Sequence, residues 1–179
     1  MTTHPMAVTW GGHEHEVAAL IRIQSLTSWP GMHRSAVILS HVGEHALTWT
    51  ALGLVGSRRD PQQRRPWLRA TATVVGAHAV SVVLKRLVRR HRPSDPRIRV
   101  LVAAPSQWSF PSSHATSTTA AAVAYSRLLR RRYPLFSIPV MMASRVMLGV
   151  HYPSDVLAGS VIGAVMGHWV ARGRAVAQS

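Results

Sequence analysis

The chain has 179 residues, 47% of them hydrophobic, and carries a formal net charge of +15. That length suits one domain, and the hydrophobic share is ordinary for a soluble protein, so neither total decides a class. Because cysteine is absent, disulfides and thiolate metal sites are excluded.

The distribution of charge is more informative. The acidic residues are Glu14, Glu16, Glu44, Asp60, Asp95 and Asp155, whereas 21 residues are basic and fall mostly in short clusters between long apolar stretches. Lys85 is the only lysine among them. Such a surplus can mark a nucleic-acid binder, a membrane protein with arginine-rich loops, or a site for anionic substrates. A nucleic-acid domain would spread its charge over a polar folded surface. Apolar stretches of near-spanning length favour the other two readings together, so a bilayer and an anionic substrate are the expected partners and nucleic acid is not.

Residues 1–12 read as a mobile lead. No charged start followed by an apolar core and a cleavage site is present, so no cleaved signal peptide is expected. Residues 13–28 read as an amphipathic helix, in which Val17, Leu20, Ile21 and Leu26 alternate with Glu16, Arg22 and Gln24. It is too polar to span a bilayer and suits the membrane surface. Trp29-Pro30-Gly31 ends it.

Five apolar stretches follow: 35–56, 67–84, 115–129, 134–150 and 155–171. Each runs roughly 15 to 22 residues, against ~20 for a spanning helix. The shorter ones can use Arg130–Arg132 and Arg172 as snorkelling flanks. The expected fold is therefore all-α: a polytopic transmembrane bundle of about five spanning helices plus the N-terminal amphipathic helix, forming one membrane-embedded domain over 13–179. A soluble helical bundle is the competing reading. The stretches lack a regular polar face and are rich in small residues, which weighs against it.

The loops alternate in character. Segment 57–66 holds Arg58, Arg59, Arg64 and Arg65; 130–132 is three arginines; the C-terminal tail holds Arg172 and Arg174. Five spans put all three on one side, which the positive-inside rule makes cytoplasmic. The opposite side receives the long segment 85–111, itself basic, and the turn 151–154. In the last stretch Gly159, Gly163 and Gly167 share one helix face, which lets a neighbouring backbone approach closely. Asp155 lies on the same face at the membrane boundary and requires a partner.

Three short segments end on the same predicted side. The first is Lys85-Arg86-Leu87-Val88-Arg89-Arg90-His91-Arg92-Pro93, the second Pro111-Ser112-Ser113-His114, and the third runs from Ser144-Arg145 through His151 to Asp155. Together they offer Lys85, Arg92 and Arg145 as cations, two histidines, and a carboxylate. That mixture suits a phosphate ester, whose oxygens arginine meets with a planar fork and lysine with a point charge. Ser112 and Ser113 precede a helix, and a helix start binds anions. Of the two histidines, one can attack phosphorus and the other can protonate the leaving alkoxide. His151 is the better nucleophile, because Asp155 four residues on can take the far ring N–H. Pro153 is welcome at a helix start. Taken singly, each element has a plainer reading: a structural His–Asp pair, a solvated basic loop or lipid-headgroup contact, and a helix cap. Their coincidence at one end of the apolar segments favours chemistry.

These residues resemble the type 2 phosphatidic acid phosphatase superfamily, whose blocks K-x6-R-P, P-S-G-H and S-R-x5-H-x3-D are matched in order and spacing by Lys85 to Arg92-Pro93, by Pro111 to His114, and by Ser144-Arg145 to His151 to Asp155. The one departure is Ser113, where glycine is usual. The resemblance implies a helical membrane core and a metal-independent phosphatase without cofactor. It implies His151 as the nucleophile that forms phosphohistidine, Asp155 as its orienting group, and His114 as the acid. Lys85, Arg92, Ser112, Ser113 and Arg145 would hold the phosphate. Many members have six spans; here the first would be reduced to the helix 13–28.

The family covers phosphatidic acid, phosphatidylglycerol phosphate and polyprenyl diphosphates, besides soluble acid phosphatases and haloperoxidases, which the apolar stretches disfavour. His41, Glu44 and His45 lie on one helical face, with Thr48 a turn further on. A glutamate inside a span faces the bundle interior or a polar cavity, so Glu44 is either satisfied by a nearby histidine or arginine or in contact, with its neighbours, with a polar headgroup such as a sugar. Small size and arginine-rich composition resemble the actinobacterial decaprenylphosphoryl-phosphoribose phosphatases within the family, with polyprenyl diphosphate phosphatases close behind. The rival classes are a binder of anionic lipid or nucleic acid, which would show salt-sensitive binding without phosphate release, and a lipid transporter or flippase subunit.

Overall fold

A computed structural model describes residues 13–27, 29–42 and 46–172. The predicted lead at 1–12, the pair Glu44 and His45, and the side chain of His41 lie outside the described residues. The described part is helical, without strands: α1 (His13–Leu26), α2 (Pro30–Val42), α3 (Leu47–Arg59), α4 (Arg64–Val88), α5 (Ser113–Leu129), α6 (Ser137–Met147) and α7 (Pro153–Arg172).

Local chemistry accounts for the ends. Asp60 accepts the Gln63 N–H at 3.1 Å and precedes Pro61, which opens a 3-10 turn leading into α4. Arg89 and Arg130 close α4 and α5 in left-handed backbone, at φ 51° and 52°. Pro153 begins α7 as a residue whose missing N–H would have had no helical partner anyway.

α5 is the central helix, contacted by α3, α4, α6 and α7. It can be central because its side chains are small. Thr116 and Ser117 return their hydroxyls to the carbonyls of Ser112 and Ser113, and Ala120, Ala121 and Ala122 are fully buried. The predicted glycine face of α7 lies on this surface. A Cβ on Gly163 would stand 2.3 Å from the carbonyl oxygen of Thr116, so only glycine permits this approach. At the other end of α5, Trp67 packs on Tyr125 with ring centroids 5.3 Å apart, and Tyr125 donates its hydroxyl to the Trp49 carbonyl at 2.7 Å.

The opposite face of α7 carries Leu157, Val161, Val165 and Trp169, all exposed, and α4 exposes Val75, Val80, Val83 and Leu87. A helix that is apolar on both faces has one facing the protein and the other requiring an apolar surrounding. Among the described residues, Pro61–Val88, of 28 residues, is the one helical segment long and apolar enough to cross a bilayer, with an 18-residue stretch of mean hydropathy 1.4.

The structure corrects the sequence reading in three places. The stretch 35–56 is two helices, α2 and α3, the latter preceded by Ala46 at φ 62°. The stretch 134–150 is a 3-10 turn at Tyr133–Phe136 followed by α6, of only 11 residues. Gln24, read as part of the solvent face of the first helix, is buried, whereas Leu26 on the presumed apolar face is 76% exposed. The amide of Gln24 donates to the carbonyls of Arg99 and Met147 and accepts the Arg99 N–H. Three backbone partners repay its burial, and α1 docks on the protein through Leu20 and Val17.

Candidate active site

The C-terminal end of α4, the start of α5, the end of α6 and the start of α7 meet at one end of the bundle, because antiparallel neighbours return the chain there. The loop between α4 and α5 folds back over this end through a bridge between His91 and Trp108, whose rings lie 4.8 Å apart. Beneath it opens a cavity of about 710 Å³. Lys85, Arg92, Ser113, His114, Arg145 and His151 line its polar part, and Val37, Val82, Leu101, Val102 and Val150 line an apolar wall. Six of the eight catalytic and phosphate-binding residues expected from the three blocks therefore share one cavity. The other two, Ser112 and Asp155, are fully buried behind it.

Lys85 and Arg92 are aimed by backbone carbonyls. Lys85 donates to the carbonyls of Ser109 at 2.9 Å and Trp108 at 3.3 Å, which occupies two of its three donors. Arg92 donates through Nε to the Ser106 carbonyl at 2.8 Å and through Nη1 to the Val150 carbonyl at 2.6 Å. Burial holds its guanidinium below the usual arginine range. Arg145 is 2% exposed; Nη2 donates to Ser144 Oγ at 3.0 Å, and its buried Nε has no hydrogen-bond partner among the described residues. A buried, partnerless guanidinium nitrogen beside a cavity fits an anionic ligand.

His151 follows a tight turn made by Gly149 at φ 71°, where a Cβ would meet the Arg99 carbonyl oxygen at 2.5 Å. Its Nδ1 stands 3.5 Å from Asp155 Oδ2, and its Nε2 stands 3.3 Å from Arg92 Nη1. Asp155 Oδ2 also accepts the Tyr152 N–H at 2.9 Å. Burial first, and then the nearby Arg92 and Lys85, outweigh the pull of Asp155 and push the His151 imidazole down to about 3. A neutral ring at position 151 is what nucleophilic attack requires.

The second block works differently from its expected form. Ser112 caps α5 by accepting the Ala115 N–H at 3.4 Å and donates its own N–H to the Asp155 carbonyl at 3.0 Å, which joins the two blocks. Ser113, in the glycine position, is not among the residues with positive φ. Its hydroxyl lies 2.7 Å from Ser81 Oγ on α4. Glycine's conformational freedom is thus not needed here, and the extra side chain ties α5 to α4. The first turn of α5, at Ser113 and His114, borders the cavity as an anion-binding helix start does.

Two residues that the three blocks do not specify enter the site: Arg90, at a variable position of the first block, and Glu16 of α1. Arg90 donates through Nη1 to Asp155 Oδ1 at 2.8 Å and to Ser154 Oγ at 2.6 Å, and through Nη2 to Glu16 Oε2. Glu16 Oε1 accepts the Ser154 N–H at 3.0 Å. Burial acts to raise the Glu16 carboxyl, but hydrogen bonds from Ser154 and Arg90 prevail and hold it below its ordinary value. In the sequence Arg90 is one of several arginines in a basic run and Glu16 is a polar-face residue of an amphipathic helix. The one sequence signal was the requirement that Asp155 have a partner.

Residues 66–178 match the sequence profile of the PAP2 superfamily. The chain is 51% identical over 153 residues to the decaprenylphosphoryl-5-phosphoribose phosphatase of Mycobacterium tuberculosis, covering 85% of this chain and 86% of the relative. It is 49% identical over 145 residues to the enzyme of the same name from Mycolicibacterium smegmatis, covering 80% and 81%. Its fold is similar to the crystal structure of a transmembrane PAP2-type phosphatidylglycerolphosphate phosphatase from Bacillus subtilis, with TM-score 0.73 at 21% identity over 91% of this chain and 86% of that one.

Proposed function

The chain belongs to the PAP2 superfamily and is a phosphatase; on that premise we propose that it is a multi-pass membrane enzyme that dephosphorylates a polyprenyl-linked substrate, decaprenylphosphoryl-5-phosphoribose, through a phosphohistidine. The observation that carries the chemistry is His151, with Asp155 behind Nδ1 and with Lys85, Arg92 and Arg145 sharing its cavity.

Lys85, Arg92, Arg145 and the first turn of α5 hold the phosphate oxygens. His151 Nε2 attacks phosphorus while the bond to the ester oxygen breaks, and the departing alkoxide takes a proton from His114. The proton on Nδ1 of the resulting imidazolium is held by Asp155. Water then attacks phosphorus with His114 as base, the P–N bond breaks, and inorganic phosphate leaves. Protein cations neutralise the charge throughout, so no metal or cofactor is required.

The apolar wall at Val37, Leu101 and Val102 suits the prenyl chain beside the polar part. The exposed apolar faces of α4 and α7 favour a bilayer around residues 13–179 as one domain. In this reading α4, α5 and α7 cross the membrane, and α2 with α3, and α6 with its preceding turn, supply two further crossings, about five in all. Arg58, Arg59, Arg64, Arg65 and Arg130–Arg132 lie at the end away from the cavity, which favours a cytoplasmic position for them and an extracytoplasmic active site. His41, Glu44 and His45 remain the proposed headgroup contacts.

The test uses purified protein in detergent with EDTA and a panel of lipid phosphates assayed side by side. Phosphate release should be fastest from the phosphoribosyl lipid, and ³²P from substrate should become protein-bound in a His114→Ala variant. Undiminished release by His151→Ala, or a stronger preference for polyprenyl diphosphate or phosphatidylglycerol phosphate, would overturn the mechanism or the substrate respectively.

A further inference from the structure

Arg90 lies outside the residues assigned to phosphate binding or proton transfer, yet both of its terminal nitrogens are held. Its side chain is 9% exposed. Its guanidinium carbon lies 4.2 Å from the centre of the Tyr152 ring, and its nitrogens reach Asp155, Ser154 and Glu16. Its backbone carbonyl accepts the Ser109 N–H at 2.8 Å, which anchors it to the segment entering α5.

The consequence for Asp155 is a division of its two oxygens. Oδ1 accepts from Arg90, whereas Oδ2 faces the Tyr152 N–H and His151 Nδ1. A fully buried carboxylate with one strong partner can turn about its Cβ–Cγ bond to follow that partner. With a guanidinium on one oxygen and a backbone N–H on the other it cannot. We infer that Arg90, clamped from outside by Glu16 of α1, is a positioning residue for the reaction: it holds one oxygen of Asp155 so that the other stays aligned with the attacking histidine. This rests on the reading of His151 as nucleophile. The N-terminal helix thereby becomes part of the catalytic support, because Glu16 bridges Arg90 to the first turn of α7 through the Ser154 N–H.

A purely structural staple between α1 and the bundle would use the same contacts, so the test separates the two. Full-length protein in detergent is assayed with a short-chain prenyl phosphate. Arg90→Gln should lower kcat about 10- to 100-fold, the scale of misaligning a reacting group, with KM within about twofold. The rate of protein phosphorylation in a single turnover should fall by the same factor, and Arg90→Lys should recover part of it. Glu16→Gln should lower kcat by a smaller factor at unchanged KM. Parental kcat in Arg90→Gln would overturn the inference, as would a loss shared equally by kcat and KM that Arg90→Lys does not relieve. If Arg90→Gln does not fold, Glu16→Gln decides, and an unchanged kcat there overturns it. His151→Ala is measured alongside: activity in that variant sinks the nucleophile reading itself, whereas an inactive His151→Ala with a parental Arg90→Gln sinks only the positioning role.

Discussion

Arg92 Nη1 stands 3.3 Å from His151 Nε2 while donating to the carbonyl of Val150, the residue just before it. One guanidinium therefore anchors the loop that presents the imidazole and lies beside the nitrogen proposed to attack. The same proximity, added to burial, opposes protonation of the ring.

Stability should respond to pH accordingly. The unfolded histidine takes up a proton near 6.5, whereas the folded one resists until about 3. The unfolded state therefore binds more protons in that window, and the stability associated with a neutral His151 is complete above pH 6.5 and lost as pH falls toward 3. Thermal melting of the substrate-free protein between pH 7 and 4 should show a decline that is shallower in His151→Gln.

Arg92→Lys should not behave as a conservative change. An ammonium cannot reach the Ser106 and Val150 carbonyls, as the fork does, and still have a donor placed for a phosphate. A loss of roughly 100-fold in kcat/KM is expected, the scale of a charged hydrogen-bonding pair left incomplete. Steady-state kinetics on one lipid phosphate would check this, and a loss under threefold would contradict it.

His114→Ala should discriminate by leaving group. Proton donation is worth about 10²–10⁴-fold where the alkoxide leaves poorly and little where it leaves well. The variant should be severely impaired on a prenyl phosphate and close to parental for the first turnover of p-nitrophenyl phosphate. Equal impairment on both would remove His114 from the acid role.

Gly163→Val should act on the site from a distance. Its side chain would drive into the Thr116 carbonyl and part α7 from α5, at a cost of about 1–3 kcal/mol or more. Because Asp155 and Ser112 bridge these helices, both melting temperature and activity should fall.

A bulky residue on the apolar wall should distinguish chain from phosphate. Val37→Trp is expected to raise KM for a long prenyl phosphate by about tenfold, near 1.4 kcal/mol, while short-chain kinetics stay parental. Equal effects on both chain lengths would argue against the wall as the chain's binding surface.

Much of this was legible in the residues. The three blocks converge on one end, and the glycines of α7 meet α5, because both follow from helix period and chain direction alone. The break between α2 and α3 was hidden because apolar composition looks alike in one long helix and in two short ones. The inward turn of Gln24 was hidden because its partners, the backbone of Arg99 and Met147, are far along the chain.

The sequence by itself determined the chemical options: which side-chain types can bind phosphate, which can attack, and the apolar lengths that separate them, since these depend on residue type and local spacing. Only the tertiary structure decided which arginine pairs with Asp155 and that α1 reaches the end of the bundle that holds the cavity. Several arginines of the basic run are equivalent in charge, and the choice among them is made by the direction each leaves the backbone and by the helix that happens to lie opposite.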